Sequence, residues 1–233
     1  MRRASDVESE PPGLSAIPGS PYSIFVIKEG YAYTDEEGHM RADGSVTLVK
    51  GPQVVLVDTG NPWDGELILR KLQSHGLAAG DITFVVCTHG HSDHVGNLGL
   101  FLEATFIVSY DICRRQDTYL DHDFRSGQPY RIDEWLEVIP TPGHSGSDVS
   151  LIVHGTQWGT VVVAGDLFER EDDEQDWREL SENPELQARH RDRVRALADV
   201  IIPGHGPPFR VTKECIPPAD VGSSGPGGTA KAV

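Results

Sequence analysis

The sequence predicts an α/β (α+β) protein with the layers of an αββα sandwich, two packed sheets with helices on their outer faces. Two observations point there. Short, β-branched apolar runs recur along the chain, and only two longer segments read as helices, so sheet must outweigh helix. At 233 residues and 38% hydrophobic content, one domain with a sizeable core is expected, and two are possible. No apolar run is long enough for a transmembrane helix, so no membrane partner is expected.

Taken in order, strands are expected near Tyr22–Lys28, Ser45–Val49 and Val54–Val57, with Ala42–Gly44 as a turn. Asn61–Pro62 reads as an N-cap followed by the first helical position. The helix Trp63–Ser74 would bury Leu72 and part of Leu67, Ile68 and Leu69, and stop at Gly76. Ile82–Cys87 reads as a buried strand. Further strands are expected at Thr105–Val108, Leu136–Ile139, Val149–His154, Thr160–Ala164 and Val200–Ile202. A second helix runs from the Asn183–Pro184 cap to about Ala198. Residues 1–20 and 217–233 are rich in Pro, Gly, Ser and charge, so disordered ends are expected around a domain spanning 21–216. Met1–Gly13 lacks the apolar stretch of a secretory signal. Cys87, Cys113 and Cys215 are odd in number and widely spaced, and Cys87 reads as a buried free thiol. A reducing compartment is expected, the cytoplasm and also the nucleus.

The chemistry gathers in Asp81–Leu100, DITFVVCTHGHSDHVGNLGL. His89, His91, Asp93 and His94 fall within six residues, directly after an apolar run. Alternate side chains of an extended segment share a side, so His89 and His91 can face one atom, and a helix could begin at Asp93 and His94. A single such histidine is more often a surface residue or a hydrogen-bonded core residue than a ligand. Three imidazoles and a carboxylate together would be costly to bury without compensation. Three further donors follow apolar runs elsewhere: His144 in TPGHS, Asp166 in AGD and His205 in PGHG. The pattern of strand, then donor, thus occurs four times, which suits a metal site with nitrogen and oxygen ligands.

The set HGHSDH, PGHS, GD and PGHG resembles the metallo-β-lactamase fold hydrolases, in their glyoxalase II-like branch, over nearly all of the chain between Tyr22 and Arg210. VVLVDTG resembles that family's first motif, in which Asp58 would support the metal loops. The resemblance implies the αββα fold and two zinc ions per chain. One ion would take His89, His91 and His144, and the other Asp93, His94 and His205, with Asp166 bridging. Asp93 and Asp166 are then the catalytic candidates, and a metal-bridging hydroxide is the implied nucleophile. The same donors also suit iron or manganese. A closer resemblance within the family is carried by RADGSVTLV, THGHSDHVGNLGLF, GTVVVAGDLFER and PGHGPPFRV. It implies an endoribonuclease of histone pre-mRNA 3′-end processing, with RNA as substrate, acting as a homodimer.

Substrate class is the open point. The common dizinc β-lactamases carry a cysteine where Asp166 stands and usually lack the histidine at His94, so the pattern fits the thioester- and phosphodiester-cleaving branches better. The residues after His205 are rich in Pro and Gly, unlike the helical glutathione-binding region of glyoxalase II. The protruding arm of ribonuclease Z and the inserted domain of the pre-mRNA cleavage nucleases have no counterpart here. Two alternatives stand beside the nuclease: a small-molecule thioester or acyl hydrolase of the glyoxalase II or lactamase type, and a metal-binding module without catalysis.

A net charge of −16 opposes a polyanion. Arg189, Arg191, Arg193 and Arg195, with Arg114, Arg115, Arg125 and Arg131, are the candidate phosphate contacts. On the helix they read rather as a solvated face, with Glu185–Arg189 an i,i+4 pair. The acidic run Glu169–Asp176 reads as a solvated loop, and His122 as a loop histidine rather than a proton donor.

Overall fold

The computed structural model describes residues 15–115, 117–173 and 175–212. Its first half contains β1 (Ala16–Ile17), β2 (Ser23–Lys28), β3 (Tyr31–Thr34), β4 (Met40–Asp43), β5 (Val46–Lys50), β6 (Val54–Val57), β7 (Phe84–Cys87), β8 (Thr105–Val108), β9 (Asp111–Arg114) and β10 (Thr118–Leu120). All but β3 and β4 form one eight-stranded sheet in the order β1-β2-β5-β6-β7-β8-β9-β10, parallel only across β6, β7 and β8. The second sheet is six-stranded and follows chain order: β11 (Tyr130–Arg131), β12 (Leu136–Pro140), β13 (Val149–Thr156), β14 (Gly159–Gly165), β15 (Val200–Pro203) and β16 (Phe209–Arg210). There β14 and β15 run parallel and the other neighbours antiparallel. The helices are α1 (Gly65–Ser74), α2 (Ser92–Val95) and α3 (Pro184–Leu197).

Three apolar layers separate four layers of structure. Val57, Val86 and Ile107 of one sheet meet Val138, Leu151, Val163 and Ile202 of the other. On the outer face of the first sheet, Leu48, Leu56 and Val85 pack with Ile68 and Leu72 of α1 and with Phe101. On the outer face of the second, Ile152, Val162 and Ile201 pack with Phe168 and with Val194 of α3. Neighbours on one strand therefore serve different layers: Val161 and Val163 face inward while Val162 faces α3. A strand covered on both faces has no polar side, which is why these runs read as continuously apolar. The expected αββα sandwich is the observed one.

Four local expectations change. Ala16 and Ile17 pair with Phe25 and Ile24, and Ile17 is buried, so the folded region begins before residue 21. The expected disorder of residues 1–14 and 217–233, and Cys215, lie outside the described residues. Helix α1 starts at Gly65, not at Pro62. Asn61 is otherwise engaged: its carbonyl accepts from Asn97 Nδ2 at 2.7 Å, its amide Nδ2 donates to the carbonyl of Ala42, and its backbone N–H donates to Asp64 Oδ2. Asp43, expected in a turn, ends β4 and is buried, its carboxylate ion-paired with Lys28 at 2.5 Å. Finally, β3 and β4 form a separate two-stranded hairpin, with Tyr31 opposite Asp43 and Thr34 opposite Met40.

Candidate metal centre

The donor residues leave the C-terminal ends of their strands. His89, His91, Asp93 and His94 follow β7; His144 follows β12, Asp166 β14 and His205 β15. Strands β12, β14 and β15 run the same way, so three loops of the second sheet open on one edge and meet the β7 loop of the first. Each sheet alone supplies half a site.

Two groups of ligand atoms result: His89, His91, His144 and Asp166, and next to it Asp93, His94 and His205. In the first, His91 Nδ1 lies 2.8 Å from His89 Nε2 and 3.1 Å from His144 Nε2. Asp166 Oδ2 is 3.5 Å from His89 Nε2, 3.3 Å from His144 Nε2 and 3.2 Å from His205 Nε2, while Asp166 Oδ1 is 3.2 Å from His94 Nε2. Asp93 Oδ2 lies 3.7 Å from His94 Nε2 and 3.8 Å from His205 Nε2. Asp166 therefore borders both groups, the position of a bridge. All seven residues named from the sequence converge here.

The donor set fits divalent cations. Burial holds the His89 imidazole well below its usual pKa, so a neutral ring presses its lone pair against its neighbours. His94 Nε2 and Asp166 Oδ1 are buried without a hydrogen-bond partner among the described residues. A cation between such atoms removes the repulsion and the desolvation cost together. In the metal-free protein protons do part of that work. Burial alone would lower His94, but the Asp166 and Asp58 carboxylates raise it well above its usual value. His205 responds in the same way, with Asp166 holding it up at about 9. Burial would raise Asp166, yet His94, His205 and His89 keep it well below the carboxylate range.

Partners behind the donors fix which nitrogen each ring presents. Asp58 Oδ2 accepts from His94 Nδ1 at 2.8 Å, and the same carboxylate accepts from Thr88 N and Thr88 Oγ1. The support role implied for Asp58 is thus met by geometry, at a residue with a left-handed φ of 60°. The Asp43 carbonyl accepts from His205 Nδ1 at 3.2 Å, so the β3–β4 hairpin steadies a donor of the second sheet. Asp148 Oδ2 accepts from Gly143 N and Ser145 N on either side of His144. Gly204, in the PGHG motif, leaves the space that Asp166 Oδ1 fills; a Cβ there would collide with that oxygen.

Sequence reasoning missed one residue of the site and misjudged another element. Glu169 is not part of a solvated loop: it is 2% exposed and forms a third group with Asp166 and His205. Its Oε2 is 3.8 Å from His205 Nε2 and its Oε1 3.9 Å from His144 Nδ1. Burial, with Asp166 nearby, pushes its carboxyl up to about 8. Asp173 is buried as well, and accepts from Glu169 N at 2.7 Å. The only signal was position: Glu169 follows the bridging aspartate by three residues, at the end of an apolar strand. Arg191 is not on a solvated face either. It donates to Asp173 Oδ2 at 2.9 Å and to the Leu167 carbonyl at 2.8 Å, with its guanidinium 4.2 Å from the Phe168 ring centre. Gln187, one turn earlier, donates to the Asp166 carbonyl. The buried side of α3 braces the loop that carries Asp166 and Glu169. His122 donates to or accepts at no donor atom of the centre; its ring packs on Phe124 and Tyr130, with Nε2 3.0 Å from the Gln128 carbonyl.

Fold and site together define a metallo-hydrolase of the metallo-beta-lactamase superfamily, whose family model matches residues 41–127; the chain belongs to that superfamily. It is similar to Metallo-beta-lactamase domain-containing protein 1 of Xenopus laevis, with 56% identity over 208 residues, 88% of this chain and 89% of that one. The Homo sapiens protein of the same name is 49% identical over 235 residues, 88% of each chain. Among solved structures, an N-acyl homoserine lactone hydrolase with N-hexanoyl-L-homoserine at its catalytic metal center superposes with a TM-score of 0.59 at 20% identity, covering 81% of this chain and 94% of that one. AidC, a dizinc quorum-quenching lactonase, does so with a TM-score of 0.59 at 15% identity, covering 82% and 89%. At such identities the shared property is the fold.

Proposed function

We propose that the chain is a dinuclear zinc hydrolase that cleaves RNA phosphodiesters, an endoribonuclease of histone pre-mRNA 3′-end processing, working as a homodimer in the cytoplasm and the nucleus. The observation that carries the hydrolase reading is the placement of Asp166 between two groups of imidazoles. The RNA reading rests on the resemblance carried by the motif segments around these donors. Bound at this site, two divalent cations would supply Lewis acidity and a water nucleophile at neutral pH. Zinc suits the imidazole-rich donor set.

The remaining roles belong to the chain. His89, His91 and His144 would hold one ion, and Asp93, His94 and His205 the other, with Asp166 shared. Asp93 is the half-buried carboxylate among the donors and lines a cavity of about 180 Å³ with His91, where a substrate can reach it. It is the group placed to hold the proton of the attacking water. His91 is exposed, which leaves one side of the first group open.

A second reading is acyl hydrolysis. It is favoured by the lactonases among the solved structures that share the fold, and by an acidic surface that is no obstacle to a neutral lactone or thioester. A third, a metal-binding module without catalysis, has against it the complete donor set. The deciding experiment offers the purified, metal-counted protein a single-stranded RNA, an N-acyl homoserine lactone, a lactoyl-glutathione thioester and a cephalosporin in parallel. Chelator-sensitive cleavage of the RNA alone is expected; turnover of the lactone or thioester with intact RNA would replace the nuclease by an acyl hydrolase.

A further inference from the structure

We propose that the cavity beneath the β3–β4 hairpin is a nucleobase subsite, receiving a base next to the scissile phosphodiester and favouring bases that bear an exocyclic amine. The inference rests on the RNA reading above and adds to it where, and by what chemistry, the substrate is gripped. The cavity has a volume of about 410 Å³ and adjoins the smaller one over the metal centre. Ala32, Met40, Glu169 and Leu180 line both, so a ligand can occupy the two at once. The volume lies in the range of small-molecule sites and suits one planar base with its sugar.

The walls explain the class. On one side stands Tyr33, 55% exposed, with Met40, 58% exposed, on the neighbouring strand; on the other stands Leu180. Tyr31 lies beside Tyr33, their ring centres 5.7 Å apart. Tyr31, Tyr33 and Met40 are held on a hairpin outside both large sheets, and burial in the core accounts for none of them. An exposed aromatic face beside a hydrolytic centre is a stacking platform for a base. Beside the Thr34 hydroxyl, the polar groups include two carboxyls that can accept. Glu169 stands where the two cavities join, nine-tenths buried and more, with Oε1 lacking a hydrogen-bond partner among the described residues. Glu179 faces the same cavity, and no ion pair engages it among the described residues. The cation on this wall, Arg170, is committed to Asp172 and Asp176.

Such a lining repels phosphate and accepts from amine hydrogens. The phosphodiester belongs over the metal centre and the flanking base under the hairpin. Adenine, cytosine and guanine carry an exocyclic amine; uracil offers a carbonyl oxygen in its place. An acyl chain would use the apolar wall but leave the acceptors unmatched.

The chain has two methionines, Met1 and Met40, so methyl-labelled methionine gives a resonance at the cavity itself. Adenosine, cytidine, guanosine and uridine, all uncharged, are titrated into the metal-loaded full chain and the Met40 methyl shift is followed. Saturable shifts are expected with the three amine-bearing nucleosides, with uridine about tenfold weaker, as for one lost hydrogen bond. Tyr33→Ser, at an exposed position, should abolish the shift without changing metal content. Equal response to uridine would remove the amine preference. An unmoved Met40 resonance, or one that answers to N-hexanoyl-homoserine lactone and not to nucleosides, would overturn the subsite even if RNA is cut. Nucleoside shifts without RNA cleavage would support the subsite while the nuclease reading fails.

Discussion

Asp166 meets His89, His144 and His205 through one oxygen and His94 through the other. Replacing it by alanine should cost both ions their shared ligand. Asp166→Ala is expected to lower metal content measured by atomic emission and to abolish hydrolysis; full turnover with reduced metal would contradict a shared centre. Asp58 touches no substrate and acts through His94. Removing such a partner typically costs roughly 10–100-fold in metal affinity. Asp58→Asn should show that loss in a competition titration against a chromogenic chelator. The protonation states fix a pH dependence. At neutral pH His205, held at about 9, carries a proton that an incoming ion must displace. Metal uptake at pH 7 should therefore release protons, seen by calorimetry in buffers of different ionisation heat, and affinity should weaken as pH falls. The sign reverses for the stability of the metal-free chain. A histidine whose pKa rises from 6.5 to about 9 on folding stabilises fully below 6.5 and loses that contribution as pH rises through 9. Chelated protein is expected to melt lower at pH 9 than at pH 6.5, which scanning calorimetry can check.

Helix α3 shows what the elements do and what their sequences conceal. Its Asn183 cap, Pro184 start and length were legible, because Asn183 accepts from Leu186 N as a capping residue should. Its role was not. Gln187, Arg191 and Val194 fall on one side of the helix and are all buried, yet two of the three are polar, so a reading by hydropathy turns that side to solvent. The loop it braces was misread for the same reason: Glu169 and Asp173 look solvated until Arg191 is seen to neutralise Asp173. The seven donors, by contrast, were legible because each follows an apolar strand whose length and composition mark its end. The β3–β4 hairpin was missed because its polar, exposed strands carry no core pattern. The start of α1 was misplaced because Asn61, a good cap by type, spends its groups on Ala42, Asp64 and Asn97. Breaking a buried ion pair from one side costs about 3–5 kcal/mol. Arg191→Met should destabilise by that order in urea denaturation and also reduce metal occupancy, whereas Leu72→Ala, on the far side of the first sheet, should cost about 2–5 kcal/mol and leave the loaded centre's affinity unchanged.

At the scale of the whole molecule, charge and site pull against each other. The chain carries −16, and among the expected phosphate contacts Arg191 is buried in an ion pair and Arg115 is paired with Glu103. Exposed Arg189, Arg193 and Arg195 remain on α3. If the net field governs encounter, added salt screens repulsion and should raise kcat/KM for RNA between roughly 10 and 150 mM, where the Debye length falls from about 30 to 8 Å. A fall over that range would mean that exposed arginines, these three or Arg114, Arg125 and Arg131, engage phosphate. No helix among the described residues is long and apolar enough to cross a membrane.

The division of the donors between the sheets reaches beyond catalysis. Because the β7 loop brings four of them and the β12, β14 and β15 loops bring three, neither half of the chain owns a complete nest for an ion. Cations bound here would act as a clasp that closes only after both halves have found each other in register. A full complement of metal would thereby require that the two halves have docked, because each of the two groups of donors draws on both sheets.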